Sequence, residues 1–222
     1  MTRCLDIHTH HPAPQPQAVV NVSPTDFSPA GRQLYSVGIH PWTTVEEPSE
    51  TLWEQLDKAA HHPQVVAIGE CGIDLLKGGP LFRQLLVLKR QIELSESIGK
   101  PLIIHAVKAD DIIMGLKRDM NPKQKWAIHG FRGKPQAAAQ LSKAGIWLSF
   151  GERFNPEAPK VVPNDMLLAE TDESQLTIED IINNLSAATG HPLKDEIAVN
   201  TCNFLNLGAV DFSNGTTEND IS

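Results

Sequence analysis

An alternation of element types constrains this chain more than any other feature. Eight short apolar or β-branched runs recur along its 222 residues: Cys4–Ile7, Ala18–Val22, Leu34–Ile39, Val65–Ile68, Pro101–Ile104, Trp126–Ile128, Ile146–Phe150 and Met166–Ala169. Each is brief and bounded by breakers, which is how a strand reads. Longer stretches with apolar residues at 3–4 spacing follow: Pro48–Ala60, Gly79–Ile98, Ala109–Asp119, Lys134–Ala144, Thr177–Thr189 and Pro192–Leu207. Thr177, with Asp180 three residues on, is placed to cap its helix. Strands alternating with helices imply a parallel sheet, and eight of them imply a (β/α)8 barrel near the lower size limit. An open doubly wound sheet is the competing topology, but no GxGxxG motif follows the first run.

The start is irregular for a barrel. The segment His11-Pro12-Ala13-Pro14-Gln15-Pro16-Gln17 cannot propagate a helix. As polyproline II it spans roughly 22 Å, enough to run back beside a strand of ~17 Å. The first helix is therefore predicted to be missing, and the second to be at most a turn around Ser23–Ala30. One flank of the barrel would then be thinly covered or closed by a partner. The expected organisation is a single barrel over residues 1–212 with a frayed polar tail over 213–222.

Composition narrows the class. Nineteen Lys and Arg against 27 Asp and Glu leave a formal net charge of −8, so long-range attraction of a polyanion is not how the chain finds a partner. The three cysteines, Cys4, Cys71 and Cys202, form no CxxC pair, which fits a reducing cytoplasm and offers no thiolate zinc site. MTRCLDIHTHH has no apolar core of a secretory signal, and no apolar run approaches the ~18 residues of a membrane span. A monomer without membrane attachment is expected.

The nine histidines then become informative. Barrel chemistry collects where strands end and βα loops begin. The first run leads into His8 and His10, which strict alternation puts on one face, with Leu5 and Ile7 on the other, toward the helices. The fourth run ends in Glu70, the fifth in His105, the sixth in His129, and the eighth in Glu170-Thr171-Asp172. Four imidazoles and two or three carboxylates converging on one mouth suit one or two divalent cations. An isolated strand-end histidine is more often structural; agreement of five strand ends is hard to obtain by accident. His61 and His62 lie at the wrong end, and His191 reads as a helix boundary. Cys71 is expected to pack outward. Lys77, Lys108, Arg132, Lys134 and Arg153 could meet phosphate, although the interspersed Asp74, Asp110, Asp111 and Glu152 fit a solvated rim equally well.

The order DIHTH, VGIHPW, AIGECGID, PLIIHA, IHGFRG, LLAETD resembles the TatD family of metal-dependent deoxyribonucleases, within the broader amidohydrolase-like barrels. The resemblance runs from about residue 4 to residue 207 and implies a two-metal site. His8, His10 and Asp172 would hold one ion and His105 and His129 the other, with Glu70 bridging. The implied cofactors are two divalent cations (Zn, Mg or Mn), and the implied substrate is DNA or an oligonucleotide. The activity is then a metal-dependent DNase, a 3′–5′ exonuclease on single-stranded or short DNA ends. Asp172 becomes the natural general base. Here the basic residue after the fifth strand is Lys108, and Arg132 stands where a small residue is commoner; both are candidate substrate contacts. Asp6 is a candidate for orienting one of the histidines, with a buried structural bond the alternative. His40, ending the third run, is a candidate for substrate or leaving-group contact, with a structural role the alternative.

Two other readings remain. A two-metal barrel acting on an amide, lactone or small phosphoester commonly bridges its metals with a carboxylated lysine, and the fourth run offers Glu70 instead. A catalytically silent metal-binding scaffold is the other, although loss of activity usually leaves a ligand missing.

Overall fold

The computed structural model describes residues 4–11 and 17–207. Its strands are β1 (Asp6–Thr9), β2 (Ala18–Val22), β3 (Leu34–Val37), β4 (Val65–Asp74), β5 (Leu102–Val107), β6 (Trp126–Ile128), β7 (Ile146–Phe150) and β8 (Leu167–Ala169). They lie in one sheet in sequence order, each paired in parallel with the next. The seam from β8 back to β1 is joined at the mouth by a bridge between Thr9 and Asp172. There the Asp172 N–H donates to the His8 carbonyl (2.9 Å), and the His10 N–H donates to the Asp172 carbonyl (3.0 Å). The result is a nearly closed (β/α)8-type barrel, as expected.

Among the described residues six α-helices surround it: α1 (Glu50–Ala60), α2 (Leu81–Ile98), α3 (Asp110–Met120), α4 (Pro135–Lys143), α5 (Ile178–Thr189) and α6 (Lys194–Phe204). Ser49 caps α1, and Thr177 forms a capping box with Asp180 at the start of α5. No helix separates β1, β2 and β3 among the described residues, and only turns occupy 23–33. The expected extended prolines 12–16 and the expected tail 213–222 lie outside the described residues. Between β7 and β8 the chain makes two 3₁₀ turns in place of an α-helix. Among the described residues no helix is long and apolar enough to cross a membrane.

Two apolar layers follow from strand alternation. Leu102, Ile104, Trp126, Ile128 and Leu148 pack outward with helix residues such as Leu88, Ile113 and Leu141. Cys71 belongs to this outer layer, as anticipated. Ile103, Ala127 and Leu168, each two residues before His105, His129 and Glu170, form an inner cluster with Ala67 and Ile7. Phe204 and Leu205 at the end of α6 join that cluster. Phe204 meets Trp147 near the start of β7 (5.6 Å between ring centroids), so α6 closes the barrel at the end opposite the mouth. Each buried Leu, Ile or Phe among them contributes about 1.5–3 kcal/mol by its burial.

Ile7 corrects the sequence reading, which turned it toward the helices. The register of β1 jumps from Asp6 opposite Ala18 to Thr9 opposite Val20, inserting one extra residue. Strict alternation fails there, and Ile7 as well as His8 faces inward. β4 carries the same device: Ile68 pairs with Leu102 but Cys71 with Ile104. The extra residue swings Glu70 into the barrel while Ile68, Cys71 and Ile73 all stay in the outer layer. β4 also continues to Asp74, six residues beyond its expected end. Its glycines are demanded by close approach of β5 rather than by a turn. A Cβ on Gly69 would lie 2.7 Å from the Ile103 carbonyl, and one on Gly72 would lie 2.0 Å from that of His105.

Candidate metal centre

Glu70 is the hub of the mouth. Its carboxylate is buried and faces five imidazoles. Oε1 lies 2.8 Å from His105 Nδ1, 2.8 Å from His129 Nε2 and 3.0 Å from His40 Nε2. Oε2 lies 3.5 Å from Nε2 of both His8 and His10. Asp172 Oδ1 sits 3.6 Å from His10 Nε2 and 3.9 Å from His8 Nε2. Asp172 has positive φ, and its backbone is pinned by the bridge that joins the seam. All six expected ligands, His8, His10, Glu70, His105, His129 and Asp172, therefore meet at one place.

Hydrogen bonds on the far side orient two of the rings, His105 and His129. Glu170, fully buried at the end of β8, faces His129 Nδ1 at 3.3 Å, leaving Nε2 for the centre. Asp74 accepts from His105 Nε2 at 3.1 Å, leaving Nδ1 for the centre. Carboxylates behind ligating imidazoles fix the tautomer and raise ligand basicity. His40 differs, because its Nδ1 accepts the backbone N–H of Trp42 (3.1 Å). The neutral ring then carries its proton on Nε2 and donates to Glu70.

His8 tests whether a cation fits. Its ring is 0% exposed, and neither ring nitrogen has a hydrogen-bond partner. A buried unsatisfied polar group costs about 1–3 kcal/mol. A cation held by Nε2 together with Glu70 and Asp172 would satisfy the nitrogen that faces those carboxylates. Burial and neighbouring His129 lower its pKa to about 3, so the ring stays neutral, the form that binds metal. The nitrogen and carboxylate donors of the triplets His8–His10–Asp172, His8–Glu70–His129 and His40–Glu70–His105 lie within 4.8 Å of one another. Mixed imidazole and carboxylate donors suit zinc, manganese or magnesium. The residues fit divalent metal.

The electrostatics agree. Burial opposes the charge on Glu70, but His129, His10 and His105 hold its carboxyl well below the usual range. Burial likewise opposes a proton on His129, yet Glu70 and Glu170 outweigh it and raise that imidazole well above its usual value. Contact with Glu70 raises His10. Burial and Glu170 raise Asp172. The carboxylates that favour protons on His10 and His129 would equally favour cations.

The remaining expectations divide. His40, Lys108 and Arg132 all line a cleft of about 1160 Å³ above the cluster. Asp6 bonds no imidazole. It accepts the His8 backbone N–H (3.1 Å) and the N–H and hydroxyl of Thr171 (3.1 and 2.6 Å), so it sets strand positions at the seam. Burial pushes its carboxyl up to about 7. His61, His62 and His191 lie outside the cluster. The sequence reading gave Glu170 no role beyond that of a possible third strand-end carboxylate, placed Asp74 on the rim and did not single out Trp42, whose indole N–H donates to Asp74 (2.6 Å). Asp74 was grouped with the solvated rim but is buried. Its parity with Glu70, four residues earlier on a strand, is the signal that could have found it.

Comparison with known proteins agrees with this geometry. The family model described as TatD-related DNase matches residues 28–187. A Bacillus subtilis protein described as an uncharacterized metal-dependent hydrolase, YabD, is 33% identical over 152 residues, covering 64% of this chain and 59% of its own. A 3′–5′ ssDNA/RNA exonuclease TatD from Erwinia tasmaniensis is 30% identical over 156 residues, covering 66% and 60%. This chain thus spans about 60% of the length of the curated relatives it matches. The crystal structure of YjjV, a TatD homologue from Escherichia coli K12, superposes with a TM-score of 0.77 at 20% identity, covering 93% of this chain and 99% of that one. The family model spans β3 to β8 with Glu70, His105, His129 and Asp172, and the chain belongs to the TatD-related DNase family.

Proposed function

We propose that this chain is a divalent-metal-dependent phosphodiesterase, a 3′–5′ exonuclease acting on single-stranded or short DNA ends. The observation that carries the proposal is the buried, unpartnered His8 ring set against Glu70 and Asp172 at the floor of an open cleft. His8, His10 and Asp172 would hold one cation and His105 and His129 a second, with Glu70 shared. Such cations neutralise phosphoryl oxygens and acidify water. The name of the Erwinia relative supports nucleic acid as the substrate class.

The chain's own groups supply the rest. Asp172, 27% exposed, is the carboxylate of the cluster that opens to the cleft, and its raised pKa moves it toward the range of a general base. It is placed to take the proton from an attacking water. Lys108 and Arg132 on the cleft wall meet phosphate oxygens, and His40, which lines the same cleft beside Glu70, is placed near the departing oxygen. The formal charge of −8 disfavours tracking along duplex DNA. The small basic wall favours a chain end.

Oligonucleotides labelled at either end, incubated with Mg²⁺, Mn²⁺ or Zn²⁺ and with chelator, test the reading. Mononucleotides released from the 3′ end, and no release with chelator, are expected. Chelator-insensitive turnover, or faster hydrolysis of amide or lactone substrates, would overturn it. A second expectation follows from the raised His10 and His129. Cation entry must displace their protons, so affinity rises with pH and levels off only once pH exceeds the raised imidazole pKa values, which lie above the ordinary value of about 6.5. Calorimetry in buffers of different ionisation enthalpy reads the released protons.

A further inference from the structure

Trp42 is out of place for a structural tryptophan. Trp126 is fully buried and Trp53 nearly so, whereas Trp42 is 46% exposed and lines the cleft. It lies in the short 3₁₀ turn Pro41–Thr43 after β3. Three contacts hold it rigid. Its indole N–H is bound to buried Asp74 (2.6 Å). Its ring meets those of His40 and His105 edge-on, at centroid distances of 4.8 and 5.8 Å. The chain after β4 is pressed so close that a Cβ on Gly78 would lie 2.4 Å from the Pro41 carbonyl. A ring face is nonetheless reachable, because the ammonium of exposed Lys77 rests over it, 4.2 Å from the centroid.

We propose that Trp42 is the stacking platform for the terminal nucleobase of the oligonucleotide bound in the cleft, a role that rests on the hydrolase reading above. A phosphate held beside Glu70 lies next to His40 and His105, the two rings that flank the indole. The base attached one sugar away is within reach of the indole face once the flexible Lys77 side chain swings aside. Stacking suits every base, so it gives affinity without sequence readout. It also relieves an acidic protein of the need for a long basic groove.

The test compares ligands with and without the base. Thymidine 5′-monophosphate and 2-deoxyribose 5-phosphate are titrated into the Mg²⁺-loaded protein by calorimetry. Single-stranded oligonucleotides ending in a normal or an abasic nucleotide are compared for kcat/KM. Base stacking predicts preference for the base-bearing ligand by about 5- to 150-fold in both assays. Trp42→Leu should erase the preference, and Trp42→Phe, which loses the bond to Asp74 but keeps an aromatic face, should retain most of it. Equal binding of the two ligands by the wild type, or a preference that survives in Trp42→Leu, overturns the platform. If neither oligonucleotide is cut, the hydrolase reading fails while the calorimetric arm still decides the role of Trp42.

Discussion

Glu70→Gln is expected to lower phosphodiester turnover by about 10³-fold and to halve the metal content, with the barrel intact. Loss of a hydrogen-bond partner behind a ligand typically costs 10- to 100-fold in affinity or activity. Glu70 stands in front, shared by five imidazoles, so its loss must exceed that range. Glutamine keeps the shape but removes the charge and one acceptor. In the metal-free protein His129 loses the carboxylate that most raises its pKa, so its titration, followed by NMR, should move down toward the ordinary imidazole value. Because the ring can release its proton, the stability cost stays well below that of stranding a buried charge. Full metal content and turnover in this variant would contradict the shared-ligand role.

His129→Ala should abolish most DNA hydrolysis and lower the metal content, but its effect on stability is different in kind. Glu170 is fully buried, its Oε2 has no partner, and its Oε1 faces His129. Burial opposes its charge, and His129 is what holds its carboxyl below the usual range. Removing that ring strands a buried carboxylate, at a cost of about 3 kcal/mol at neutral pH. The stranded group has a raised folded-state pKa, so the lost stability should be regained as pH falls and the carboxyl takes up a proton. The double variant His129→Ala/Glu170→Gln should recover stability at pH 7 without recovering activity. Denaturant unfolding of single and double variants across pH reads the coupling. A His129→Ala protein as stable as wild type at pH 7, with no pH dependence of the difference, would contradict it.

Much was legible before any coordinates. The apolar runs that became β2, β6 and β7 match the strands to the residue, because their alternation and flanking breakers are local features. Among the described residues no helix lies between β2 and β3, which follows from their short connection, again local. The strand-end donors could be gathered because parallel barrels put every strand's C-terminal end at one mouth, whatever the details of packing, and the family resemblance then singled out Asp172 at the eighth.

The rest depended on neighbours far away in sequence. β4 was read as ending at Ile68 because Gly69 and Gly72 look like breakers. They are small because β5 passes within contact of their α-carbons, which no pattern within β4 reveals. The extra residues in β1 and β4 are likewise relations between two strands, and they put Ile7 and Glu70 on the inner face. Asp74, Glu170 and Trp42 gain their roles only from what they touch: His105, His129 and the open cleft. Residue chemistry and its period along the chain are written in the sequence, since each depends on adjacent residues. Which nitrogen of a ring faces the centre, and what stands behind it, emerges only once separate strands share a register, because a hydrogen bond needs both partners in place.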